Sequence, residues 1–181
     1  ITHMGTATSS DGLSWTRGGQ ALEAGEGWES MAVVPGDVHE SADGYRLWYS
    51  GFNGEQWEIG SATSTDGRDW IRESEPAFSF GAPGSWDDAA VRHPSVYQDG
   101  DELHLWYSGF DGSSWRIGHA SLPEGGEWDR DDEEDGSVLS LQGLFYSEGS
   151  QHPVVWKEDG NYHMWYAGQQ DGVLRVGMAA G

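Results

Sequence analysis

The six residues "LWYSGF" stand at 47–52 and again at 105–110, and a close variant, "MWYAGQ", stands at 164–169. Trp48, Trp106 and Trp165 therefore recur at spacings of 58 and 59 residues. The surroundings recur with them: "DGYRLW", "DGDELHLW" and "DGNYHMW" upstream, "WEIGSATS", "WRIGHASL" and "LRVGMAAG" downstream. Gly51 and Gly60, Gly109 and Gly118, and Gly168 and Gly177 are each nine residues apart. A period of this length is the signature of a repeat architecture.

Each repeat reads as four short strands. The first is an apolar run such as "PSVYQ" or "PVVWK", closed by Asp99-Gly100 or Asp159-Gly160, a pair that favours a hairpin. The second is "RLWYS", "HLWYS" or "HMWYA". A Gly-rich loop leads to the third, "EIGSATS" or "RIGHAS", and a last short strand carries Trp70 or Trp128. In the second strand Tyr45, Leu47 and Tyr49 point one way, while Arg46, Trp48 and Ser50 point the other. Both sets are mostly large, so both faces of the sheet require a cover. A sandwich normally leaves one face of each sheet polar. A repeated four-stranded antiparallel sheet buried on both sides is the blade of an all-β propeller.

"MGTATSSDGLSW" (4–15) repeats the frame of "IGSATSTDGRDW" (59–70), so the chain opens on the third strand of a blade. The expected organisation is a single propeller domain or fragment over 1–181. It comprises a half-blade over 1–27 and blades over about 28–85, 86–144 and 145–181, the last without its outer strand. Ordinary closed propellers have roughly four to eight blades. Such an inventory predicts either a piece of a longer protein or a homo-oligomer whose chains complete the ring between them.

Composition narrows the partners. The 181 residues carry a formal charge of −22, with Lys157 as the only lysine beside eight arginines. That field repels nucleic acid and anionic membranes, and neither is an expected partner. It fits a plain acidic surface and an adaptation to high salt equally. No apolar run approaches the roughly 20 residues that span a bilayer. The chain has no cysteine, which excludes disulfides and thiol catalysis. It starts in mid-pattern at Ile1, compatible with removal of an upstream leader and with an extracellular or periplasmic location.

The run of "W-[DE]", "PSV", "DG", "[LM]WYSGF" and "IG-ATS-DG--W" resembles the five-bladed propellers of the furanosidase superfamily. That group includes glycoside hydrolase family 43 arabinanases and xylosidases, and the related invertases and levansucrases. The resemblance covers nearly the whole chain, and its shared residues are mostly those that build blades. It implies a carbohydrate ligand and three carboxylates on the axial face, acting as general base, pKa modulator and general acid. Glycoside hydrolysis needs two carboxyl groups flanking the scissile bond. The stretches Ser9–Trp15 and Ser64–Trp70 also resemble the Asp-box of sialidases, one residue short between Asp and Gly. Their simplest reading is an Asp that caps its own turn and a Trp that packs between blades.

In such a fold the site lies where the innermost strands begin, beside the loops joining second and third strands. The candidates there are Glu148 as general acid, on its "SEG" resemblance, Asp87 or Asp88 as base, and Asp37, with Glu29 nearby. Glu148 lies further from Pro153 than the two residues usual in the family. The family's base Asp precedes the Pro of the first strand; here His93 and His152 precede Pro94 and Pro153. Those imidazoles would face the axis and hold a sugar or a metal, or bond a neighbouring blade's backbone. Family propellers sometimes hold an axial calcium, but calcium prefers oxygen ligands, so no metal ligand set and no cofactor is assigned. Trp28, Trp86 and Tyr146 suit sugar stacking or packing, and Asn53 and Asp111 lie in the loops that face the ligand. His104 and His163 open second strands at the opposite end and read as packing residues. The acidic run 129–135 reads as a solvated loop. Two functions remain open: a furanosidase-like glycoside hydrolase, and a non-catalytic module that binds glycans or proteins.

Overall fold

The computed structural model describes residues 1–180 apart from 42, 132–135, 137 and 140–147. Four antiparallel sheets follow one another along the chain. The first pairs β1 (Met4–Thr8) with β2 (Thr16–Leu22). The second runs in the order β3 (Ala32–Ser41), β4 (Gly44–Phe52), β5 (Trp57–Ser64) and β6 (Ile71–Arg72). The third repeats it with β7 (Ala90–Asp99), β8 (Glu102–Phe110), β9 (Trp115–Pro123) and β10 (Asp129–Arg130). The fourth holds β11 (Gly149–Glu158), β12 (Asn161–Gln170) and β13 (Val173–Ala180). A 3-10 turn, Gly27–Glu29, is the only helical element among the described residues. This is the all-β, partial propeller that the repeat predicts. One detail differs: Trp70 and Trp128 stand just before the two-residue outer strands rather than within them.

The hairpins obey local chemistry. Asp159 (φ 51) and Gly160 (φ 84) form the two-residue β11–β12 loop, and both left-handed values match the turn whose twist suits a hairpin. The Gly pairs of the repeat serve a different end. A Cβ on Gly51 or Gly60 would lie 2.2 or 2.5 Å from the Trp28 ring, and one on Gly109 or Gly118 would lie 2.2 or 2.4 Å from Trp86. Each pair clears a notch in which one indole lies flat across two strands.

The second strands work as the alternation predicts. Leu47 and Tyr49 pack back onto Met4, Leu22 and Val33, while Trp48 points forward into a core with Val91, Leu105 and Tyr107 of the next blade. One repeat on, Leu105 and Tyr107 face back, and Trp106 faces forward onto Val155, Met164 and Tyr166. In the third blade Trp165 faces forward as well but is 45% exposed, and Val176, the counterpart of buried Ile59 and Ile117, is 77% exposed. First strands touch one another across blades, β7 contacting both β3 and β11, so they lie innermost around the axis.

Candidate functional site

A β-bulge near the start of each first strand shapes the axial end of the molecule. Register shifts occur between Pro35 and Asp37, Arg92 and Ser95, and Gln151 and Val154. A bulge leaves backbone N–H groups without ladder partners, and a buried orphan is costly. Side chains of the preceding blade fill the gap. Ser50 Oγ accepts from His93 N at 2.9 Å, and Ser108 Oγ accepts from His152 N at 2.9 Å. Asp37 Oδ2 accepts from Val96 N at 2.9 Å, and its counterpart Ser95 Oγ accepts from Val155 N at 3.0 Å. In the third blade these two acceptor positions hold Ala167 and Val154.

The bulge turns His93 (φ 54) and His152 (φ 57) into the left-handed region, which histidine tolerates better than most residues. Their rings stack at 3.5 Å with 22° between planes, and His93 Nδ1 lies 3.2 Å from Ser108 Oγ. Burial, then His152, then Arg92 push the His93 pKa down to about 2, and burial, then Arg92, lowers that of His152. Both are neutral near pH 7. The two imidazoles thus lie side by side, at equivalent positions of adjacent blades.

Beside them lies Arg92, which the sequence reading passed over. Its guanidinium sits 3.9 Å from the Trp115 ring centroid and 5.8 Å from that of Trp57. Its Nη2 donates to Gln151 Oε1 at 3.0 Å, and its Nε is buried without a partner. Trp57 stacks on Phe52 and Trp115 on Phe110, each at 4.7 Å, so two aromatic pairs from successive blades flank the arginine. The available signal was positional: the repeat places Val34, Arg92 and Gln151 at one inner-strand position, and only the middle blade has a cation there.

The carboxylates picked out from the sequence are all bonded. Asp87 is buried; its Oδ2 accepts from Arg130 Nη1 at 2.8 Å and Tyr107 Oη at 3.0 Å, and its Oδ1 accepts from Ser85 Oγ at 2.9 Å. Glu29 occupies the matching place one blade earlier, 2.5 Å from Arg72 Nη1. Because Arg72 and Arg130 come from the outer strands, both acids fasten the blade entrance to its periphery. Asp88 Oδ2 accepts from Gly84 N at 2.7 Å, and Asp37 ties two blades as described. Glu148 caps the β12–β13 turn, its two oxygens accepting from Asp171 N at 2.7 Å and Gly172 N at 2.9 Å.

The loop residues act alike. Asn53 Oδ1 accepts from the amides of Glu55 and Gln56, and Asp111 Oδ1 from those of Ser113 and Ser114. Burial alone would raise the Asp111 pKa, but these bonds, the Ser113 hydroxyl and Arg116 hold it well below the usual carboxylate range. Trp28 and Trp86 stack on Tyr49 and Tyr107 at 5.8 and 5.5 Å within their notches. Tyr146 lies outside the described residues. In both short Asp-box-like stretches the Asp caps its turn: Asp11 Oδ1 accepts from Leu13 N and Ser14 N, and Asp66 Oδ1 from Arg68 N and Asp69 N. His163 stacks on Trp156 at 5.2 Å. His104 does more than pack, since its Nδ1 lies 3.0 Å from His119 Nε2, and His119 Nδ1 lies 2.6 Å from Asp131 Oδ2. Among the described residues no group of three or more His, Asp or Glu is placed to hold a metal ion. An axial calcium fits poorly, because hydroxyls and the Arg92 guanidinium surround the imidazoles where calcium would need several anionic or carbonyl oxygens.

No protein-family profile matches the chain. Two uncharacterized proteins of Mycobacterium tuberculosis, MT1551 of strain CDC 1551 / Oshkosh and Rv1502 of strain H37Rv, are each 29% identical over 163 residues. The match covers 85% of this chain and 50% of each relative, so the chain spans about half the length of the curated relatives it matches. Among solved structures, one described as a glycoside hydrolase matches with a TM-score of 0.78 and 17% identity over 97% of this chain and 56% of its own. The Bombyx mori GH32 β-fructofuranosidase BmSUC1 gives 0.72 and 16%, over 99% and 39%. Zg3597, a family 117 glycoside hydrolase of Zobellia galactanivorans, gives 0.68 and 20%, over 97% and 51%. At such identities the likeness is one of fold: this chain shares its architecture with propeller glycoside hydrolases.

Proposed function

We propose that the axial face is a carbohydrate-binding surface of a furanosidase-like propeller, and that the described residues bind a sugar rather than hydrolyse it. The observation that carries this reading is the pair of stacked aromatics, Phe52–Trp57 and Phe110–Trp115, set at one end of adjacent blades around Arg92 and the two imidazoles. Aromatic walls with a few convergent polar groups suit a sugar ring, which offers apolar C–H faces and a polar rim. The carboxylates argue against turnover by this set. A general acid must turn a protonated oxygen toward the leaving group, whereas both Glu148 oxygens accept backbone N–H bonds. Asp87 is committed to Arg130 and Tyr107.

Binding to immobilised glycans, with no release of aryl alcohol from aryl furanosides, is the expected outcome. Turnover that disappears in Glu148→Gln would overturn the binding reading and restore Glu148 as general acid. A ring completed by a second copy belongs to the same proposal. It is supported by the exposed forward face of the third blade, whose Trp165, Val176 and Met178 continue the positions that bury two blade interfaces. Light scattering should then give the mass of a dimer, and a monomer at high concentration would refute that part.

A further inference from the structure

We propose that Arg92 makes this face selective for acidic sugars, receiving the carboxylate of a uronic acid residue whose ring lies beside the Trp57 and Trp115 pairs. The inference rests on the carbohydrate reading above and names the sugar class.

The chain has 31 acidic residues against nine basic ones, so a half-buried cation should find a carboxylate easily. Others do. Arg72 pairs with Glu29 at 2.5 Å, Arg116 with Asp111 at 2.8 Å, Arg130 with Asp87 at 2.8 Å, and Lys157 with Asp99 at 2.5 Å. Arg92 has no carboxylate within 4.0 Å among the described residues; its one polar partner is the neutral Gln151 side chain. Its Nε is out of water and unbonded, and burial alone lowers its pKa, with no acid offsetting that effect. The rings of Trp57 and Trp115 fix the guanidinium plane. The N–H groups of Nη1 and Nη2 that Gln151 does not take match a carboxylate, which accepts two parallel hydrogen bonds.

Charge number separates the anion classes. Both nearby imidazoles are neutral, so the site holds one positive charge. One charge balances a carboxylate and falls short of a phosphate dianion. The acidic remainder of the surface repels free anions, so affinity has to come from sugar and carboxylate together.

Isothermal titration of the whole chain with D-galacturonate, D-galactose and inorganic phosphate, in 0.15 M and 0.5 M NaCl as chosen conditions, tests this directly. Galacturonate should bind at least about tenfold more tightly than galactose, as expected for a charge-assisted pair. R92M should bring the two sugars within about twofold of each other, chiefly by weakening galacturonate, and R92K should fall between. Near-UV circular dichroism checks that R92M keeps its packing; R92Q serves if it does not. Equal affinity of the wild-type chain for both sugars, or a preference surviving in R92M and R92Q, would overturn the Arg92 assignment while leaving the carbohydrate reading intact. Phosphate displacing galacturonate at lower concentration than galacturonate itself would overturn the carboxylate assignment. Failure of both sugars to bind would overturn both readings.

Discussion

Arg130 and Arg92 are one residue type in two settings of the same blade. Each guanidinium lies flat against an aromatic ring, Arg130 at 4.0 Å from Phe78 and Arg92 at 3.9 Å from Trp115. Arg130, at the periphery, also meets buried Asp87, Tyr107 and the Ser79 carbonyl. Arg92, at the axis, meets an amide and, among the described residues, no acid. The aromatic contact is common to both, so it does not tell them apart; the missing carboxylate does. A cation with its counter-charge supplied by the chain holds a fold together, and one without it is poised for a charge from outside.

The contrast breaks most visibly at the closed end. Asp87→Ala takes the counter-charge from half-buried Arg130, a loss toward the lower end of the about 3–5 kcal/mol that removing one member of a buried pair costs. Chemical denaturation should register that loss, and a change below about 1 kcal/mol would mean Asp87 is not the anchor described here. Next comes the hydroxyl tie. Ser108→Ala orphans the His152 amide and removes the contact to His93, for an expected loss of about 1–3 kcal/mol by the same measurement.

A third test uses pH. The His93 pKa is depressed to about 2 when folded, against an ordinary value of about 6.5. Above pH 6.5 the imidazole is neutral folded or unfolded and contributes no slope. Below it the unfolded chain takes up a proton that the folded chain refuses, so stability falls as pH drops from about 6.5 toward 2. His93→Asn tolerates the left-handed backbone and keeps the amide bond to Ser50, so it should flatten that fall by up to about 2 kcal/mol between pH 6.5 and 5. An unchanged slope would show that His93 is not the group responsible. The smallest effect belongs to the open cation: Arg92→Met should shift stability by no more than about 0.5 kcal/mol, since it removes an unpaired charge as well as a stacking contact. A loss of several kcal/mol would make Arg92 a structural residue like Arg130.

Architecture was legible in the sequence because it is repeated. The spacing of Trp48, Trp106 and Trp165 announced blades, and alternation in "LWYS" told which face each side chain would bury. The site was legible only as a region. Its carboxylates looked catalytic on type and position, yet a hydrogen bond from Arg130 to Asp87, or from the Asp171 amide to Glu148, joins residues 43 and 23 apart, and no local pattern encodes that pairing. Ser50 and Ser108 were visible as repeated hydroxyls, but their role depends on a bulge in the next blade that leaves an amide open. Arg92 escaped notice because one charged residue in an apolar run has no motif; the repeat marks only its position, while its missing partner is a property of the fold.

The indole N–H signals of Trp57 and Trp115, assigned by W57F and W115F, offer the most direct test of the axial face as a sugar site. During titration of the isotopically labelled chain with galacturonate oligosaccharides, those two signals should shift in a saturable way, while those of Trp70 and Trp128, which precede the outer strands, stay in place. Shifts confined to Trp70 and Trp128, or none at all at saturating sugar, would contradict the account.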